Sequence, residues 1–97
     1  MRKFYSDYVQ HCMRFYVRQP HPRFRKDVDE QNWLACANAL RDFSDDDQEL
    51  LMLIYQDGDS LLDNVNKLAV ARNIKANLIW KLINDLERNV AERRGLV

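Results

Sequence analysis

Glycine and proline are almost missing, with two of each in 97 residues. A β-rich fold needs many tight turns, so this scarcity argues against one and favours long helices. Long hydrophobic runs are missing as well. The N-terminus has no apolar block of about 7 to 15 residues of the kind a signal peptide carries, and no stretch approaches the roughly 18 apolar residues of a membrane helix. The expected location is the cytosol, with no membrane partner. Cysteine is limited to Cys12 and Cys36, which in a helical cytosolic chain are expected as reduced core residues.

Signatures of catalysis are equally scarce. Two glycines cannot build a phosphate-binding loop or a dinucleotide fingerprint, and no Ser/His/Asp or Cys/His set stands in a recognisable motif. His11, Cys12, His21 and Cys36 do not make a zinc set, because adjacent helical positions diverge by about 100° and the spacing fits no familiar pattern. No catalytic residue, metal or cofactor is expected.

What is present is ordinary in amount and unusual in order. Apolar residues make up 46% and charged residues 31%, enough to build one core of a single domain spanning 1–97. The net charge is zero, yet residues 1–26 carry seven cations against one acid, residues 27–66 one against eleven, and residues 67–97 seven against three. Fields act within a Debye length of about 8 to 10 Å, so any nucleic-acid contact belongs at the ends of the chain, with the acidic middle turned away.

Apolar periodicity predicts an all-α bundle of five helices, near 3–18, 29–42, 45–56, 60–71 and 75–93. The first carries an aromatic stripe of Phe4, Tyr5, Tyr8, Phe15 and Tyr16. Pro20 and Pro22 then push the chain into an extended basic connector. Trp33, Leu34, Ala37, Leu40 and Phe43 mark the apolar face of the second helix. Ser44 caps the third, whose first-turn acids Asp45, Asp46 and Asp47 suit the positive end of a helix dipole. Gly58 is expected in the left-handed conformation that ends this helix. A fourth begins near Ser60. Residues 1–43 thus form an N-terminal helical part, and residues 44–97 a second part ending in two closely joined helices.

The stretch LAVARNIKANLIWKLINDL, residues 68–86, breaks its apolar rhythm at Arg72-Asn73 and resumes it at Ile74. Asparagine tolerates positive φ better than any residue but glycine, so Asn73 is where the chain turns. Two helices joined so briefly have the geometry of a helix-turn-helix. In the last helix Ile79, Leu82, Ile83, Leu86 and Val90 form the core stripe. Counting about 100° per residue puts Asn77, Lys81, Asn84 and Arg88 on the opposite side, while Asp85, Glu87 and Glu92 flank them and Trp80 sits at the border as a packing residue. Asn77, Lys81 and Asn84 have the donors and acceptors to read base edges in a major groove; Lys75 and Arg88 have the charge to hold phosphates.

With Leu68 and Ala69 as a hydrophobic-plus-small pair, Asn73 at the usual glycine, Ile74 after the turn, and Ile79 with Leu82 inside the last helix, residues 47–88 resemble region four of bacterial sigma factors and the related phage-type regulators. Arg72 stands where that pattern has an apolar residue, and Lys75 where it has a capping serine or threonine. The resemblance implies a small DNA-binding transcriptional regulator of bacterial or mobile-element type, with duplex DNA as partner. RNA polymerase or another protein would be met through the N-terminal aromatic helix. The other class open to this sequence is a helical interaction module, an adaptor or dimerisation domain, in which the aromatic stripe docks a partner. In the absence of such a role the stripe is core.

Overall fold

The computed structural model describes residues 3–19 and 23–97, and five helices account for its regular structure. They are α1 (Ser6–Arg18), α2 (Asp27–Leu40), α3 (Asp45–Gln56), α4 (Leu61–Arg72) and α5 (Ala76–Arg93). No strand occurs among the described residues. None of these helices is long and apolar enough to cross a membrane. The conformation expected of Pro20, His21 and Pro22 lies outside the described residues.

Helices α1 and α5 form the centre. Helix α5 packs against each of the other four, and α1 packs against α2, α3 and α5. Their apolar stripes supply most of the fully buried side chains: Val9, Cys12 and Met13 from α1, and Ile79, Ile83, Leu86 and Val90 from α5. Leu51, Ile54 and Tyr55 of α3 and Val65 of α4 complete one continuous core. Burial pushes the Cys12 thiol up to about 11, and pushes that of Cys36 up further. Both cysteines are free, as expected.

Four local expectations need correction. Helix α1 starts at Ser6, because Lys3 to Tyr5 form a turn closed by Ser6 N–H donating to the Lys3 carbonyl (3.1 Å). Helix α2 is rotated relative to its apolar pattern. Leu34 is 44% exposed, and the buried face is Asn32, Ala35, Cys36, Ala39 and Leu40. Small side chains allow the neighbouring helices close approach there. Asn32 is satisfied by donating to Tyr8 Oη (3.0 Å) and accepting from Arg94 Nε (2.6 Å). The larger Trp33 instead closes the α1–α2 junction, stacking near Tyr16 and Phe24 at 5.1 and 6.1 Å and donating from Nε1 to the Gln19 carbonyl (3.2 Å).

Gly58 is not left-handed, and Asp57 ends α3 in an extended conformation (φ −74°, ψ 133°). The carbonyls left over are met by side chains from elsewhere. The buried Asn64 amide donates to Ile54, Asp57 and Asp59 at 2.9, 3.2 and 3.3 Å. Arg14 reaches Asp57 and Asp59 at 2.8 Å each. The Asp59 N–H donates to Asp57 Oδ1 (3.0 Å), which with Lys67 nearby holds that carboxyl below the usual carboxylate range. The fourth correction is Glu87, which does not flank the solvent face. It is 1% exposed and accepts a hydrogen bond from Ser6 Oγ at 3.2 Å.

The cap read at Ser44 is in place, and Ser60 caps α4 in the same way. Ser44 Oγ accepts from Asp47 N–H and Ser60 Oγ from Asp63 N–H, each at 3.2 Å. At the end of α4, Asn73 is left-handed (φ 52°, ψ 48°). Its N–H donates to Val70 at 3.3 Å and that of Ile74 to Ala69 at 3.0 Å, the paired bonds that close a helix through a left-handed residue. The same closure ends α5 at Gly95 (φ 71°).

These two loops respond oppositely to substitution. Asn73→Val should destabilise the fold by about 1–2 kcal/mol, the cost of a β-branched residue at positive φ, whereas Asn73→Gly should not. Gly58→Ala should be neutral or slightly stabilising, since a Cβ there meets nothing within 4 Å. Urea melts of the three variants measure this directly; a Gly58→Ala loss as large as that of Asn73→Val would contradict it.

Candidate nucleic-acid interface

The connection between α4 and α5 is three residues long, Asn73 to Lys75. Its shortness rests on Asn73, whose left-handed conformation turns the chain while Ile74 folds back against the core. Lys75 is extended (φ −67°, ψ 133°) at the first position before α5, exposed, and its side chain makes no cap bond. Helix α5 therefore begins without a cap bond from its N-cap residue, beside a cation.

Burial of Ile79, Ile83, Leu86 and Val90 fixes the rotation of α5 about its own axis. Asn77, Lys81, Asn84 and Arg88 consequently all lie exposed on its far side. Four of the five residues singled out in the sequence therefore share one exposed strip of α5, and Lys75 is exposed just before the helix begins. Trp80 is half-buried and packs against the core, and Leu82 does likewise.

The electrostatics of the strip are mixed. Asp85 is exposed along it, and Arg88 Nε donates to Glu92 Oε1 at 3.1 Å, one helical turn on. Toward its end, Asp42 from the α2–α3 loop accepts from Asn89 Nδ2 (2.7 Å) and Arg93 Nη2 (3.2 Å), and these bonds hold its carboxyl below the usual carboxylate range. Arg93 is thereby partly occupied, whereas Lys75 and Lys81 make no ion pair among the described residues. On the α4 side, Arg72 is exposed and reaches Glu49 of α3 at 3.4 Å. An arginine at a position where the sigma-like pattern has an apolar residue thus finds a surface partner. His11 is exposed while Cys12 and Cys36 are buried, so His11 does not share a face with the cysteines.

Sequence periodicity did not reveal what borders the strip. Lys3 and Phe4, from the other end of the chain, line a groove of about 420 Å³ together with Asn84, Arg88 and Val97. No known protein family, curated protein or solved structure matches the chain.

The Arg88–Glu92 pair is solvent-exposed and spaced i, i+4, so it contributes at most a few tenths of a kcal/mol to stability. Glu92→Gln should leave Tm almost unchanged while making the protein elute from heparin at higher salt. Elution at the same salt would show that Arg88 is not restrained by this acid in solution.

Proposed function

We propose that this chain is a small DNA-binding transcriptional regulator that uses α4, the Asn73 turn and α5 as a helix-turn-helix similar to region four of sigma factors, acting in the cytoplasm. The observation that carries this reading is the strip on α5: Asn77, Lys81, Asn84 and Arg88 are all exposed opposite a fully buried stripe. A helix offered to a major groove needs that division, with one side fixed by packing and the other rich in directional donors. The short left-handed turn supports it further, because it leaves the start of α5 uncovered by any long loop.

The residues have different tasks. Asn77, at the first turn, and Asn84 can pair bidentately with adenine, and Lys81 between them can donate to guanine. Lys75 and Arg88, toward the two ends of the helix, neutralise backbone phosphates and position it. Glu92 offsets Arg88 in the free protein, so phosphate binding exchanges one anionic partner for another.

A second reading, a helical interaction module, is favoured by Val70 and Leu78, which flank the turn at 85% and 54% exposure. Salt separates the two. A groove reader must lose affinity for duplex DNA as salt rises, and an adaptor has no such requirement.

Arg88→Ala should weaken binding to most duplexes and make the slope of log K against log salt shallower by about one unit. Asn77→Ala should keep the slope and cost about 1–3 kcal/mol at one preferred base pair. Both should fold normally, since neither side chain enters the core. Equal DNA affinity of the unmodified chain and both variants at low salt would rule out groove reading.

A further inference from the structure

The first residues of the chain lie against the far half of α5, although 81 positions separate the residues that join them. Ser6 is the joint. Its N–H donates to the Lys3 carbonyl and its Oγ accepts from the Lys3 N–H, both at 3.1 Å, while the same hydroxyl donates to Glu87 Oε1 at 3.2 Å. Ser6 and Glu87 are each 1% exposed. The turn holding Lys3 and Phe4 is therefore fastened by buried polar contacts to the residue immediately before Arg88.

This fastening holds two side chains outward. Phe4 is 82% exposed, its ring set edge-on to the buried Tyr5 at 5.3 Å. Lys3 is exposed and has no ion pair among the described residues. Apart from its edge to Tyr5, the Phe4 ring is open to water on an anchored turn, and a cation without an ion pair beside it favours an anionic partner. Of the two acidic side chains among the described residues that line this groove, Asp85 is exposed and Glu87 is turned inward to Ser6.

Position along α5 indicates which part of a duplex would be met. A reading helix contacts base edges with its N-terminal residues, and about 16 Å separates Asn77 from Arg88 at 1.5 Å per residue. Around Arg88 the helix is therefore leaving the groove and meeting the sugar-phosphate backbone. We propose that the Lys3–Phe4 turn is a second DNA contact, in which Lys3 neutralises a phosphate flanking the one held by Arg88 and Phe4 packs on the adjoining deoxyribose. This rests on the DNA-binding reading of α5 and extends its interface to both ends of the chain, where the sequence concentrates its positive charge.

The test is fluorescence anisotropy of the full chain with a labelled duplex over a series of salt concentrations. Lys3→Ala should make the salt slope shallower by about one unit, additively with Arg88→Ala, and Lys3→Arg should restore it. Phe4→Ala should weaken binding several-fold with the slope unchanged. Thermal melts of all three should match the unmodified protein, because both side chains are exposed. If Arg88→Ala lowers the slope while Lys3→Ala and Phe4→Ala change nothing, the second contact is overturned and the α5 reading stands. If the unmodified chain shows no salt-dependent DNA binding, both fall. If Phe4→Ala instead abolishes self-association by sedimentation and leaves DNA affinity intact, the groove belongs to a second copy of the chain and the proposal is overturned.

Discussion

Burial of one stripe of α5 is the constraint on which the rest of the molecule depends. Ile79, Ile83, Leu86 and Val90 are fully buried, and the helix that carries them touches all four others. Each such side chain contributes about 1.5–3 kcal/mol relative to exposure, so α5 cannot rotate about its axis without losing most of the core at once. The exposure of Asn77, Lys81, Asn84 and Arg88 is the complement of that burial. Core and candidate site are two sides of one helix, and a change that loosens the first would blur the second.

Polar groups inside the fold then fix the ends of the helices. Asn64 gathers one carbonyl from the last turn of α3 and two from the α3–α4 loop, Asn32 joins Tyr8 of α1 to Arg94 beyond α5, and Ser6 meets Glu87. Removing one partner from such a buried contact costs more than the bond contributes, because the group left behind has lost its water as well. These contacts therefore specify where α1, α3 and α5 end relative to one another more than they add stability. Asn73 does the equivalent work on the backbone, since its left-handed conformation permits a connection of only three residues.

Much of the architecture was legible in the sequence. The starts of α3 and α4 and the turn between α4 and α5 follow from Ser44, Ser60 and Asn73, each adjoining a strong apolar period. The solvent face of α5 was legible for the same reason, being the opposite of the clearest stripe in the chain. What was hidden depended on small residues or on distant partners. The true face of α2 is made of alanine, cysteine and one asparagine, too little contrast for periodicity to outweigh Leu34. Gly58 suggested a left-handed cap, but the carbonyls at that end are satisfied by Asn64 and Arg14. A charged Glu87 reads as solvent-facing until Ser6, 81 residues away, is seen beside it. The nearness of Lys3 and Phe4 to Arg88 was hidden in the same way.

The outward strip of α5 is proposed as a DNA-contacting surface. Titrating isotope-labelled protein with duplex DNA and following its amide and side-chain resonances addresses that claim most directly. Shifts should concentrate on Lys75, Asn77, Lys81, Asn84 and Arg88, including the side-chain amides of both asparagines, and should leave the acidic first turn of α3 unmoved. A spectrum that does not respond to DNA at low salt, or one whose changes avoid α5, would contradict it.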